Sequence, residues 1–141
     1  MIWIGVGLYV KNSAEAVPFY MDVFDLELGY HVKNKDGSFF HSELIRNGEE
    51  VLSVVESKDQ DLRDNIVNLG FTFPDKKSLW IAYKKLAEGG TVQMEPQALP
   101  WSPYAAQITD RFGVWWYLSC PQHRPDEDFD PEVYEQEEKL S

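Results

Sequence analysis

Residues 7–24 read GLYVKNSAEAVPFYMDVF, and this stretch changes its hydrophobic period halfway along. Upstream of it, Ile2, Ile4, Val6, Leu8 and Val10 alternate with Trp3, Gly5, Gly7 and Tyr9, the two-residue repeat of a strand with one apolar face. Downstream of Asn12 the apolar positions become Val17, Tyr20, Met21 and Phe24, the spacing of one helical side. Asn12 is expected to cap that helix, with Glu15 closing a capping box. Pro18 falls past the first turn and should kink the helix without ending it. Three strands are expected next, at Leu28 to Val32, Phe39 to Arg46 and Val51 to Glu56. Asp36-Gly37 and Asn47-Gly48 separate them as hairpin turns.

A second copy of the pattern follows a polar linker at about 57–64. Residues 70–87, GFTFPDKKSLWIAYKKLA, repeat the order of strand, cap and helix at an offset of 63. Gly7 falls on Gly70, Asn12 on Asp75 and Tyr20 on Tyr83. Leu79, Ala82, Tyr83 and Leu86 form the helical stripe, and Gly89-Gly90 ends it. A short strand near Val92, a proline-rich loop with Pro96, Pro100 and Pro103, and strands near Tyr104 to Thr109 and Val114 to Ser119 complete the unit. The expected fold is α+β: two βαβββ modules, about 1–56 and 65–120, in one domain of curved mixed sheets around a cleft. Residues 121–141 form an acidic extension, with a helix expected from Pro131 to Leu140 presenting Val133 and Leu140.

Charge and cysteine content narrow the function. Eight acids and two bases in 121–141 account for more than half of the formal charge of −11, so most of it is the charge of a solvated tail. That balance excludes nucleic acid as a partner. No stretch is long enough to span a membrane, and Ile2 to Val10 lacks the basic flank of a leader. The single Cys120 suits a reducing compartment, so a cytoplasmic protein is expected. No phosphate loop, dinucleotide fingerprint or Ser-His-Asp signature is present. Asp110 is expected to cap the turn Asp110-Arg111-Phe112-Gly113 rather than to act as a base.

Residues 7–24, together with PWSPYAAQITDRFGVWWYLS at 100–119, resemble the vicinal oxygen chelate superfamily, which includes glyoxalase I, extradiol dioxygenases and bleomycin-resistance proteins. The turn Asp110-Arg111-Phe112-Gly113 is similar to the family's Asp-Pro-x-Gly, with Arg111 in place of proline. Helix 1's PFYMDVF is similar to its Phe-Tyr-x-x-x-Leu stretch. The resemblance implies a half-barrel around a small molecule, within a homodimer. It also places the family's metal-ligand positions at Gly5, Ser53, Asn68 and Tyr117, none of which is a normal His or Glu ligand. No metal or other cofactor is therefore expected. His41 and Glu43, two residues apart on one strand, are the fallback ligands if a metal site has moved.

Strand parity anchored on that resemblance turns Trp3, Gly5, Gly7, Tyr9, Asn68, Trp115 and Tyr117 toward the cleft. Trp101 stands on the loop before the seventh strand, where bleomycin-resistance proteins have a similar Pro-Trp-Gly segment. Glycines make room and aromatic rings supply flat walls, the composition of a pocket for a planar or cationic compound. The leading expectation is a metal-independent small-molecule binder close to the bleomycin-resistance type. The alternatives are a metal-dependent lyase, isomerase or dioxygenase with relocated ligands, and an interaction module that uses the acidic tail.

Overall fold

The computed structural model describes residues 5–58, 67–125 and 127–140. The first module comprises β1 (Gly7–Val10), α1 (Ser13–Phe24), β2 (Glu27–Lys33), β3 (Phe39–Arg46) and β4 (Glu49–Glu56). The second comprises β5 (Leu69–Thr72), α2 (Lys76–Ala87), β6 (Thr91–Leu99), β7 (Ser102–Thr109) and β8 (Trp115–Ser119), and α3 (Pro131–Leu140) follows. The sheets have orders β1-β4-β3-β2 and β5-β8-β7-β6. In each, the first strand pairs parallel with the last of its module and the other pairings are antiparallel. These are the two four-stranded mixed sheets expected of paired βαβββ modules.

The two N-termini are built differently. Asp75 caps α2 as expected, its carboxylate accepting from the Ser78 amide at 2.8 Å. Asn12 does not cap α1: it sits at φ 60 with no side-chain cap bond, and its amide donates to Glu15 at 2.8 Å. Glu56 at the end of β4 takes over, accepting from the Ser13 amide and hydroxyl at 2.8 Å each and from the Asn12 amide at 3.1 Å. The cap thus comes from a residue 44 positions away, because the parallel pairing of Val10 with Glu56 delivers a carboxylate to the first turn. Pro18 leaves α1 continuous from Ser13 to Phe24.

At the hairpins, Asn47 and Gly48 both take positive φ (52 and 79), as a two-residue turn requires. A Cβ on Gly90 would stand 2.4 Å from the Thr109 carbonyl oxygen, so only glycine fits between α2 and β7. The expected proline-rich loop is instead a hairpin. β6 runs nine residues, with Pro96 in a register shift of this edge strand, and Pro100-Trp101 make the turn into β7. An edge strand tolerates proline because its missing N–H need have no partner.

The modules share one core. Tyr20 and Phe24 of α1 meet Trp116 of β8 at ring-centroid distances of 5.7 and 4.6 Å, and Phe24 stacks on Phe71 at 4.5 Å. Val114, Trp116 and Leu118 face this core, as strand parity predicts. Asp110 is buried and fully used: it accepts from Tyr20 Oη at 2.7 Å, Trp116 Nε1 at 2.8 Å, and the Phe112 and Val114 amides at 2.9 and 3.1 Å. Burial, reinforced by this carboxylate, drives the Tyr20 phenol far above its ordinary value.

Candidate functional site

The residues left facing away from the shared core form two groups, one on each sheet. On the first sheet Gly7 pairs with Ser53 and Tyr9 with Val55, and Tyr9 is 70% exposed. A Cβ on Gly7 would approach Ser53 Oγ to 3.3 Å, so glycine keeps this part of the face flat. Tyr9 lines a hollow of about 400 Å³ with Asn34, Phe40, Val55, Glu56, Ser57 and Lys58. Phe40 joins it because the register slips between Val32/His41 and Lys33/Phe39, a bulge that no sequence period announces. Gly5 and Gly7 also border a hollow of about 460 Å³ at the β1 edge, opposite Val67 and Leu69. Trp3 lies outside the described residues.

On the second sheet Gly70 pairs with Tyr117, and Trp115 and Tyr117 are half-buried beside Gln107. Trp115 Nε1 donates to Gln107 Oε1 at 3.1 Å. Trp101 Nε1 donates to Tyr117 Oη at 3.0 Å, and that hydroxyl donates onward to Gln122 at 3.0 Å. Asn68 is exposed ahead of β5. The extension closes on Trp101: Phe129 and Tyr134 approach its ring at 6.3 and 5.7 Å, and the His123 amide donates to its carbonyl at 2.8 Å. The residue of α3 that docks is therefore Tyr134, while Val133, expected on the packed side, is 48% exposed. An aromatic side chain buries more area than valine, and Trp101 offers an edge for it.

The structure thus brings Trp101, Trp115 and Tyr117 together, and Gly5, Gly7 and Tyr9 together. Among the described residues and cavities, none joins Tyr9 to Tyr117 or Trp115. Phe40, Gln107, Gln122, Phe129 and Tyr134 are neighbours that no local sequence pattern marks.

The donor set at the family's metal positions does not fit a divalent ion. Gly5 offers no side chain, Asn68 is a weak neutral ligand, Ser53 Oγ lies 3.5 Å from the Val6 carbonyl, and Tyr117 Oη is engaged with Trp101 and Gln122. His41 Nε2 and Glu43 Oε2 are 2.8 Å apart, bonded to each other, and among the described residues no three His, Cys, Asp or Glu side chains group as ligands would. Cys120 is buried, which pushes its thiol up and makes it a poor nucleophile. No described helix is long and apolar enough to cross a membrane.

A family model described as the glyoxalase/bleomycin resistance protein/dioxygenase superfamily matches residues 4–118. No curated protein matches the sequence. Among solved structures, the PhnB protein of Bacillus cereus is 22% identical with a TM-score of 0.71, over 83% of this chain and 98% of that one. Protein PA1353 of Pseudomonas aeruginosa is 20% identical with a TM-score of 0.68, over 86% and 98%. The fosfomycin resistance protein FosX of Listeria monocytogenes, solved with Mn(II) and sulfate, is 14% identical with a TM-score of 0.63, over 86% and 92%. At these identities the structures speak for the fold alone, and the family rests on the model that spans both modules. With that match laid over the paired βαβββ architecture, the chain belongs to the glyoxalase/bleomycin resistance protein/dioxygenase superfamily.

Proposed function

We propose that the protein is a metal-independent small-molecule binder of the bleomycin-resistance type, holding a planar aromatic or cationic compound against the open sheet faces. The observation that carries this reading is the composition of those faces: Gly7, Tyr9 and Phe40 on one, Gly70, Trp115 and Tyr117 on the other, all opposite a core that needs none of them. Tyr9, Tyr30 and Phe40 at 70, 66 and 61% exposure are costly to leave in water, and a ligand or a partner surface would cover them. A homodimer in the cytoplasm is part of the proposal, each open face meeting a face of the second copy. One observation favours a catalytic alternative, a lyase, isomerase or dioxygenase of the same superfamily: the His41–Glu43 pair lies on the same face as Gly7.

Trp101 carries the test. A thermal-shift screen of planar aromatic amines and acids supplies a bound compound, and calorimetry measures its affinity. Replacing Trp101 by Ala weakens binding by about 1–3 kcal/mol, the range of an aromatic hot spot. Unchanged affinity in the variant contradicts the placing of the ligand beside Trp101 and Tyr117.

A further inference from the structure

We infer, building on the binding reading above, that Gln107 is the specificity residue of the second sheet, donating its amide hydrogens to the carbonyl oxygen of a flat, uncharged ligand. The registers set out the face. Gln107 pairs with Tyr117 and Tyr117 with Gly70, one row across β7, β8 and β5. Cross-strand partners point to one side of a sheet, as do residues two apart on a strand, so Trp115 stands beside that row. The intervening Ile108, Trp116 and Leu118 are buried in the core, which leaves Gln107, Trp115 and Tyr117 on the open side. A Cβ on Gly70 would meet nothing nearer than Tyr117, at 4.0 Å from its Cδ1, so glycine keeps the flank of this ring clear.

Hydrogen bonding decides what this face offers. An indole N–H only donates, so the Gln107 atom 3.1 Å from Trp115 Nε1 is the carboxamide oxygen and not the nitrogen. The Gln107 NH2 group, with two donors, then has no acceptor among the described residues. The neighbouring chain runs with the same polarity: Trp101 Nε1 donates to Tyr117 Oη, which donates to Gln122 Oε1, each at 3.0 Å. The Gln122 NH2 is left as a second unused donor. A ligand lying on Trp115 and Tyr117 thus meets N–H groups. An ammonium, which only donates, would set its hydrogens against them. A carboxylate accepts, but Gln107, Gln122 and the rings carry no charge to balance it, in a chain of formal charge −11. A neutral carbonyl on a flat ring system meets both conditions, its oxygen accepting from Gln107 while the ring covers Trp115 and Tyr117.

Three naphthalenes separate the cases: 2-acetylnaphthalene, 2-methylnaphthalene as the ring without an acceptor, and 2-(aminomethyl)naphthalene as the cation. NMR titration of isotope-labelled protein measures each affinity and follows the Gln107 side-chain amide and Trp115 indole signals. The native protein is expected to prefer 2-acetylnaphthalene, which alone shifts the Gln107 amide protons downfield. Gln107→Glu keeps an acceptor for Trp115 Nε1 but replaces the two donors by a carboxylate oxygen. It is expected to weaken 2-acetylnaphthalene at least about tenfold, to leave 2-methylnaphthalene unchanged and to strengthen the amine. An unfolding curve and an unmoved Trp115 indole signal confirm that the variant is folded. If Gln107→Glu binds 2-acetylnaphthalene as the native protein does, the donor role is overturned. A native protein that binds 2-methylnaphthalene equally well, or that prefers the amine, overturns it too and leaves the binding reading standing. Failure to bind any of the three overturns the inference together with the reading beneath it.

Discussion

Asp110 shows how a residue from a family-like turn becomes a structural hub. Its carboxylate ties α1 to β8 through the Tyr20 hydroxyl and the Trp116 indole, and it closes its own turn through two backbone amides. Three of the four hydrogen bonds are buried, so removing the acceptor leaves several buried polar groups unpaired at once. Asp110→Ala is expected to lower unfolding stability by about 4 kcal/mol, against about 1–2 kcal/mol for Tyr20→Phe, which removes one donor. Denaturant unfolding of both variants checks this, and equal, small losses would mean that the hub is not holding the modules together. The turn-capping role is legible from residue type and position. Tyr20 and Trp116 are not legible as its partners, since they come from a helix 90 residues away and a strand whose side chains only folding brings round.

At the scale of elements, local chemistry was readable where both halves of an interaction lie within one turn. Asp75 and Ser78 are three residues apart, and the cap on α2 formed as expected. The cap on α1 did not, because Glu56 reaches it across a parallel pairing. Burial pushes the Glu56 carboxyl up, but donors from Ser13 and Asn12 outweigh it and hold the group below the usual carboxylate range. A depressed carboxyl adds stability that is fully present above its unfolded value, about 4.3, and is lost as pH falls through the folded value. Acid titration of stability is therefore expected to be shallower in Glu56→Gln than in the native protein, with a loss of about 1 kcal/mol at neutral pH. Parallel titration curves for the two proteins would remove Glu56 from the cap. The bulge that exposes Phe40 and the docking of Tyr134 on Trp101 were equally hidden, since neither leaves a periodic mark in the chain.

For the whole molecule, the internal repeat was the most legible feature. The offset of 63 that aligns Asn12 with Asp75 carries Ser13–Phe24 onto Lys76–Ala87 and Phe39–Arg46 onto Ser102–Thr109. Hydrophobic periods specify each module because strands and helices repeat locally. They do not say how two open faces are covered, since that depends on surfaces meeting across the assembly. The expected cleft thus resolves into two aromatic faces, Tyr9 with Phe40 and Trp115 with Tyr117, turned away from a common core. These faces are proposed to hold an organic ligand without a metal, and native mass spectrometry with elemental analysis decides between that and a metal site. Protein purified without chelators or nickel resin is expected to fly as a dimer, free of stoichiometric metal, with a retained organic mass that Trp101→Ala loses. Near-stoichiometric zinc, nickel, iron or manganese would overturn the metal-free reading and move the site to a metal centre.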